Sequence, residues 1–304
     1  MWVKLKPFWG STVGLAPYSD VSYHINALRD FGYGKTNITY KGSGGFTELY
    51  WGNGFAVTKN LSVGVNASLV FGSVTKTESI ALSNADMVLE KKIYANRLSL
   101  DAGIQYRFRV SKKYAVVLGA TIDQERKLEG SRESSLFKST AVAGVMLSLD
   151  SNTSRVQYIF PGKVGLGVSV ETTRSLVAAD FQFQSWSKAD FGERNVTYED
   201  VNRLSFGYMY KGNSKSDNYL SRISLRSGFH YQNHYFKLEN TLLDNWGVSF
   251  GMGLPIQGNR ATLQLTYAYE CLGTLSNGLV KENSSKVMVD VIVRDIWGIK
   301  RRFE

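Results

Sequence analysis

The chain has 304 residues, a formal charge of +10, 43% apolar and 13% aromatic residues, and one cysteine. That composition is too apolar for a disordered chain, and a single thiol excludes an internal disulfide and a cysteine-based metal cluster. No run of 18 apolar residues is present, which argues against a transmembrane helix and leaves a membrane β-barrel open.

In chain order, twelve segments read as strands: near 8–18, 37–56, 61–77, 93–110, 114–128, 160–171, 175–187, 202–211, 219–234, 244–254, 260–272 and 286–297. Each alternates apolar and polar or small residues, the period-2 signature of a strand with two unlike faces. In "LSVGVNASLVFG", Leu61, Val63, Val65, Ala67, Leu69 and Phe71 oppose Ser62, Gly64, Asn66 and Ser68. In "RLSLDAGIQYRFR", Leu98, Leu100, Ala102, Ile104, Tyr106 and Phe108 oppose Ser99, Asp101, Gly103, Gln105, Arg107 and Arg109. "KVGLGVSVE", "VAADFQFQSW", "ISLRSGFHY", "WGVSFGMGL", "ATLQLTYAYE" and "VMVDVIVRD" repeat the pattern. Convincing helical periodicity is almost absent.

Long and short connections alternate nearly throughout. Residues 19–36, 78–92, 129–159, 188–201 and 273–285 read as long; "AVTKNLS", "VSKKY", "ETTRS" and "PIQGNR" read as tight turns. This is the rhythm of an antiparallel up-and-down barrel with short turns at one end and long loops at the other. The expected fold is therefore all-β: a single-domain transmembrane barrel over 1–304, about 12 strands, with 129–159 as a long external loop or extension. The apolar faces would meet lipid and the polar faces the lumen. Trp9, Trp186, Trp246 and Trp297 fall near strand ends, where an interfacial girdle belongs; Trp51 fits less well. A soluble β-sandwich or propeller predicts shorter strands at even spacing, and charges such as Asp101, Arg107, Arg226 and Asp290 suit a wet lumen better than a dry core.

The segments "PFWGSTVGLAPYSDVSY" (7–23), "TKNLSVGVNASLVFG" (58–72), "FPGKVGLGVSV" (160–170), "VAADFQFQSWS" (177–187), "SLRSGFHYQ" (224–232), "NWGVSFGMGLPI" (245–256) and the end "VRDIWGIKRRFE" resemble the FadL-type outer membrane transport proteins. The resemblance covers most of the chain and rests on strand patterns. It implies passive admission of long-chain fatty acids or other hydrophobic compounds, captured at external loops, held in an apolar pocket, and released through the wall or past a plug. It also implies a 14-stranded barrel with a signal peptide and an N-terminal hatch carrying an Asn-Pro-Ala motif. Those features have no counterpart in this sequence, which begins where the family's third strand would lie. Twelve strands plus two gives fourteen, so truncation is the expected reason.

Candidate lumen or substrate residues are Asp101, Arg107, Arg109, Arg226, His230, Glu270 and Asp290, with Lys163, Glu171, Asp180 and Arg294 on the same inward faces. A basic member could hold a substrate carboxylate; equally, the charges could pair across the lumen and hold barrel and plug together. Arg226 with His230, on one face of one strand, is the sharpest pair. No serine or cysteine stands in a nucleophile motif beside His24, His230 or His234, so no enzyme activity is expected. His230 and His234 lie about 13 Å apart along a strand, too far to share a metal. The glycine-rich "YKGSGGF" (40–46) lacks the Gly-Lys-Ser/Thr ending of a phosphate loop and reads as a loop or flexible strand start. No cofactor and no nucleic-acid partner is expected, since Lys and Arg are scattered rather than clustered. Expected partners are outer-membrane lipid, a hydrophobic ligand and a protein partner at the long loops. A protein-binding barrel of the same architecture, serving secretion or surface assembly, is the alternative to transport. A soluble β protein with a basic surface is the third reading.

Overall fold

Period-2 alternation places the apolar side chains of each strand on one face of the sheet. The computed structural model describes all residues except 1, 31, 33, 82–84, 141–145, 191–196, 239–240, 257–260, 277–278 and 294–304. The strands are β1 (Trp2–Lys6), β2 (Trp9–Asp20), β3 (Tyr23–Asp30), β4 (Lys35–Ala56), β5 (Leu61–Ala81), β6 (Ala85–Arg109), β7 (Ala115–Asp123) and β8 (Arg126–Thr140). They continue as β9 (Met146–Phe160), β10 (Lys163–Glu171), β11 (Ser175–Gln184), β12 (Val201–Tyr210), β13 (Ser224–Leu238), β14 (Thr241–Ile256), β15 (Ala261–Gly273) and β16 (Lys281–Val293). All sixteen join one antiparallel sheet, in the order β1-β2-β4-β5-β6-β7-β10-β11-β12-β13-β14-β15-β16. β3 is added to β4, and the β8–β9 hairpin to β6. Among the described residues β1 and β16, at the two ends of this order, do not pair.

The outer face has no covering layer. Leu15, Leu98 and Phe250 are 66%, 66% and 60% exposed. A contiguous apolar surface of that extent is what a lipid-facing barrel wall requires and what a soluble monomer avoids. On β5 the inward Ser68 and Val70 are fully buried. Trp9 and Trp51 lie on the outer face with their indole N–H groups satisfied, by Asn53 Oδ1 (3.1 Å) and Ser11 Oγ (2.9 Å) respectively. Trp186 does not join the girdle; it turns toward the lumen mouth. Trp297 lies outside the described residues.

The twelve expected strands correspond to β2, β4–β7 and β10–β16, so the count is corrected from twelve to sixteen. Of the additions, β1 precedes the first expected strand, and β3, β8 and β9 fall where long loops were expected. Segment 78–92 is mostly strand, because β5 runs to Ala81 and β6 begins at Ala85; 19–36 contains β3, and 129–159 lies largely within β8–β9. Of the apolar piece 139–149, residues 139–140 end β8 and 146–149 begin β9, and 141–145 lie outside the described residues. Two boundaries also move: β7 stops at Asp123, and a short helix, α1 (Tyr219–Arg222), precedes β13.

Strand lengths show what these additions build. β7 and β10 have nine residues each, the length with which a tilted strand crosses a bilayer. β4, β5 and β6 have 22, 21 and 25, so about half of each projects beyond the barrel wall. Residues 101–109 of β6 pair with β7, whereas 85–96 pair with β8. The projecting halves, with β3, β8 and β9, form one sheet standing over the long-connection end of the barrel.

Where this sheet bends away from the wall, Phe46, Val70, Val74, Ala95, Leu128 and Tyr158 form the one buried apolar cluster among the described residues. The bend needs glycine. Gly44 has φ +99°, and a side chain there would run into the Ser73 carbonyl oxygen; one at Gly130 would run into that of Tyr94. The "YKGSGGF" stretch is therefore part of β4 at this bend, where backbones pass too close for a Cβ.

Candidate functional site

Register brings the inward polar residues into rows around the lumen. Gln184 sits opposite Lys163, Lys163 opposite Asp123, Asp123 opposite Asp101, and Asp101 opposite Asn66. One step toward the short-turn end on β11, Gln182, Arg203 and Gln232 form a neighbouring row over β11, β12 and β13.

Two cavities lie along this interior. The one at the mouth has a volume of about 410 Å³, and its lining includes the aromatic rings of Tyr18, Phe160, Trp186 and Tyr235. The same lining includes Arg126, Lys163, Arg203, Gln182, Gln184 and Gln232. The Trp186 and Tyr235 rings stack with centroids 4.2 Å apart. Trp186 is set by a single 3-10 turn, whose Ser187 N–H donates to Asp200 Oδ1 at 2.8 Å. Arg203 has no ion-pair partner among the described residues, in a pocket whose size suits a small organic ligand. The lower cavity, about 1200 Å³, mixes polar residues such as Glu48, Asn66, Asp101, Gln105 and Thr121 with apolar ones such as Phe8, Phe55 and Val65.

Arg126 stands at the junction of the two. Its Nη2 donates to Asp101 Oδ2 (2.8 Å), its Nη1 to Glu48 Oε1 (3.2 Å), and its guanidinium lies 5.1 Å from the Tyr18 ring centre. Lys163 Nζ lies 2.8 Å from Asp123 Oδ2 beside it.

The sequence-derived candidates do not gather at one point. Asp101 belongs to the Arg126 cluster. Arg107 pairs with Glu171, which Lys211 also contacts, near the short-turn end. Arg109, at the end of β6, is exposed. Arg226 and His230 part company: Arg226 Nη1 donates to Gln264 Oε1 at 3.1 Å, while His230 Nε2 is 3.9 Å from Glu270 Oε1, whose other oxygen is 3.1 Å from Lys286 Nζ. His230 and Glu270 meet across Gly247, where a side chain would lie 2.5 Å from His230 Cε1. Asp290 is exposed on β16. Most of these charges therefore serve pairing between strands. Ser227 alternates onto the face opposite His230, and His234 packs its ring on Tyr235 and Phe236. Among the described residues no cluster of three His, Cys, Asp or Glu side chains suits a metal ion.

Arg126 and Arg203 were missing from that set. Arg203 was legible, since Leu204, Phe206 and Tyr208 are outward and leave it inward. Arg126 was not: continued from Val116, Leu118 and Ile122, a single strand would aim it at lipid. The break at 124–125 resets the alternation.

The family model described as BamG matches residues 3–304. The chain belongs to the BamG family. No curated protein matches the sequence. Among solved structures, a FadL homologue of Pseudomonas aeruginosa aligns with TM-score 0.60 at 12% identity, over 95% of this chain and 74% of its own. The CymD monoaromatic hydrocarbon channel gives 0.55 at 13%, over 94% and 78%. The P. putida toluene transporter TodX gives 0.55 at 15%, over 95% and 79%. Likeness at such identities establishes the fold: this BamG-family chain has the FadL-type β-barrel architecture anticipated from its strand patterns.

Proposed function

We propose that this chain is a barrel of the Gram-negative outer membrane that passively admits hydrophobic small molecules, without cofactor or turnover. The preferred ligand is amphipathic, an apolar body with one anionic end, as in a long-chain fatty acid. The observation that carries this reading is the mouth cavity, whose lining combines aromatic rings with a row of amides around Arg203, which has no ion-pair partner among the described residues. Similarity to the CymD monoaromatic hydrocarbon channel and the toluene transporter TodX supports the apolar half of that description.

The test begins with outer-membrane extraction and a gel with and without boiling; a faster unboiled band marks the folded barrel. Titration of the detergent-purified protein with oleate and with toluene follows. Arg203→Met should weaken oleate binding by about tenfold or more, the worth of a charged hydrogen bond, and leave toluene unchanged. Trp186→Ala should weaken both. Wild-type protein that binds neither compound would refute the proposal.

The projecting sheet favours a second reading, a non-transporting barrel that binds a protein partner for secretion or surface assembly. A second outer-membrane protein co-purifying in fixed ratio, and lost when β8–β9 is shortened, would support it.

A further inference from the structure

The two lumen cavities share four wall residues, Tyr18, Asp123, Arg126 and Lys163. One layer of side chains thus separates them. Arg126 enters from β8 and is held by β6 through Asp101, by β4 through Glu48, and by β2 through the Tyr18 ring. Lys163 of β10 and Asp123 of β7 pair beside it. Arg126 is only 7% exposed although it projects into the interior of a barrel, so its charge is nearly surrounded by partners. A buried guanidinium between two carboxylates does not leave them readily, because each unpaired charge would remain desolvated.

We propose that Arg126 bolts the lumen shut: the layer it completes is a septum that closes the barrel to water-soluble solutes, and a ligand in the mouth cavity reaches the lower chamber only when Arg126 releases Asp101 and Glu48. The inference goes beyond the proposed transport reading, because leakage of polar solutes is measured without any hydrophobic ligand.

The experiment compares small-sugar influx in liposome swelling, and ion conductance in planar bilayers, for the full chain and its variants. Wild type should leak no more than protein-free vesicles. Arg126→Ala should raise influx several-fold while keeping the heat-shifted folded band. Arg126→Lys, which retains a cation, should stay nearly closed. If Arg126→Ala does not fold, the double variant Glu48→Gln with Asp101→Asn keeps Arg126, removes both holds, and should leak. A role confined to stability would lower the unfolding midpoint and leave the influx of folded protein at the wild-type level; that result would overturn the proposal. So would a wild-type barrel that already conducts.

Discussion

Replacing Gly44 by alanine tests the account of the bend between barrel wall and projecting sheet. Gly44 lies at φ +99°, and a methyl group there meets the Ser73 carbonyl oxygen on β5, a backbone atom that cannot rotate away. A left-handed conformation costs a non-glycine residue roughly 1–2 kcal/mol, and forced overpacking about 1–3 kcal/mol. Together they predict a loss of about 2–5 kcal/mol, with additional loosening at Val21, whose N–H donates to the Gly44 carbonyl at 2.8 Å. Gly54→Ala is the matched control: it lies on the same strand, and nothing stands within 4 Å of the added carbon. It should change stability by no more than about 0.5 kcal/mol or stabilise slightly. The assay is urea unfolding in detergent followed by tryptophan fluorescence, with limited proteolysis of β8–β9 as a local readout. Equal midpoints for the two variants, with equally protected hairpins, would refute the reasoning.

Ile104→Arg on the outer face should cost roughly 2–4 kcal/mol if that surface meets the bilayer interior, whereas Gln105→Arg, facing the lumen, should cost little; the efficiency of insertion into vesicles separates them. Gly247→Val should push apart His230 and Glu270 and lower stability by about 1–3 kcal/mol through overpacking. The same urea titration measures it, and a matching loss in His230→Ala would assign the effect to that contact rather than to the backbone. Loss of oleate affinity in Arg203→Met and solute leakage in Arg126→Ala complete the set.

The wall of the barrel was legible because lipid on one side and a polar interior on the other impose alternation at every position. Leu98 to Phe108 and Leu61 to Phe71 kept their assigned face. Of the projecting sheet, β3, β8, β9 and the outer part of β6 were not legible, because water reaches both of its faces and no alternation is required. "RESSLFKST" in β8 and "DSNTSR" in β9 carry turn-like composition, yet these residues are paired in register with a neighbouring strand. Site residues divided in the same way. Asp101 was identified because its strand alternates cleanly, while its partner Arg126 was hidden by a break that local pattern does not mark. The pairings of Arg226 with Gln264 and His230 with Glu270 depend on glycines in the strand between, which a reading of one strand cannot supply.

The unequal strands also bear on the order in which the chain can assemble. From β10 to β16 every strand pairs with the next one in sequence, so each step is a local closure at modest entropic cost. β7 and β10 are different: Asp123 and Lys163 sit opposite each other, yet the whole β8–β9 hairpin intervenes. The second half of the chain can therefore form as a growing meander, whereas the pairing of β7 with β10 has to span one long excursion, the kind of non-local contact that forms slowly.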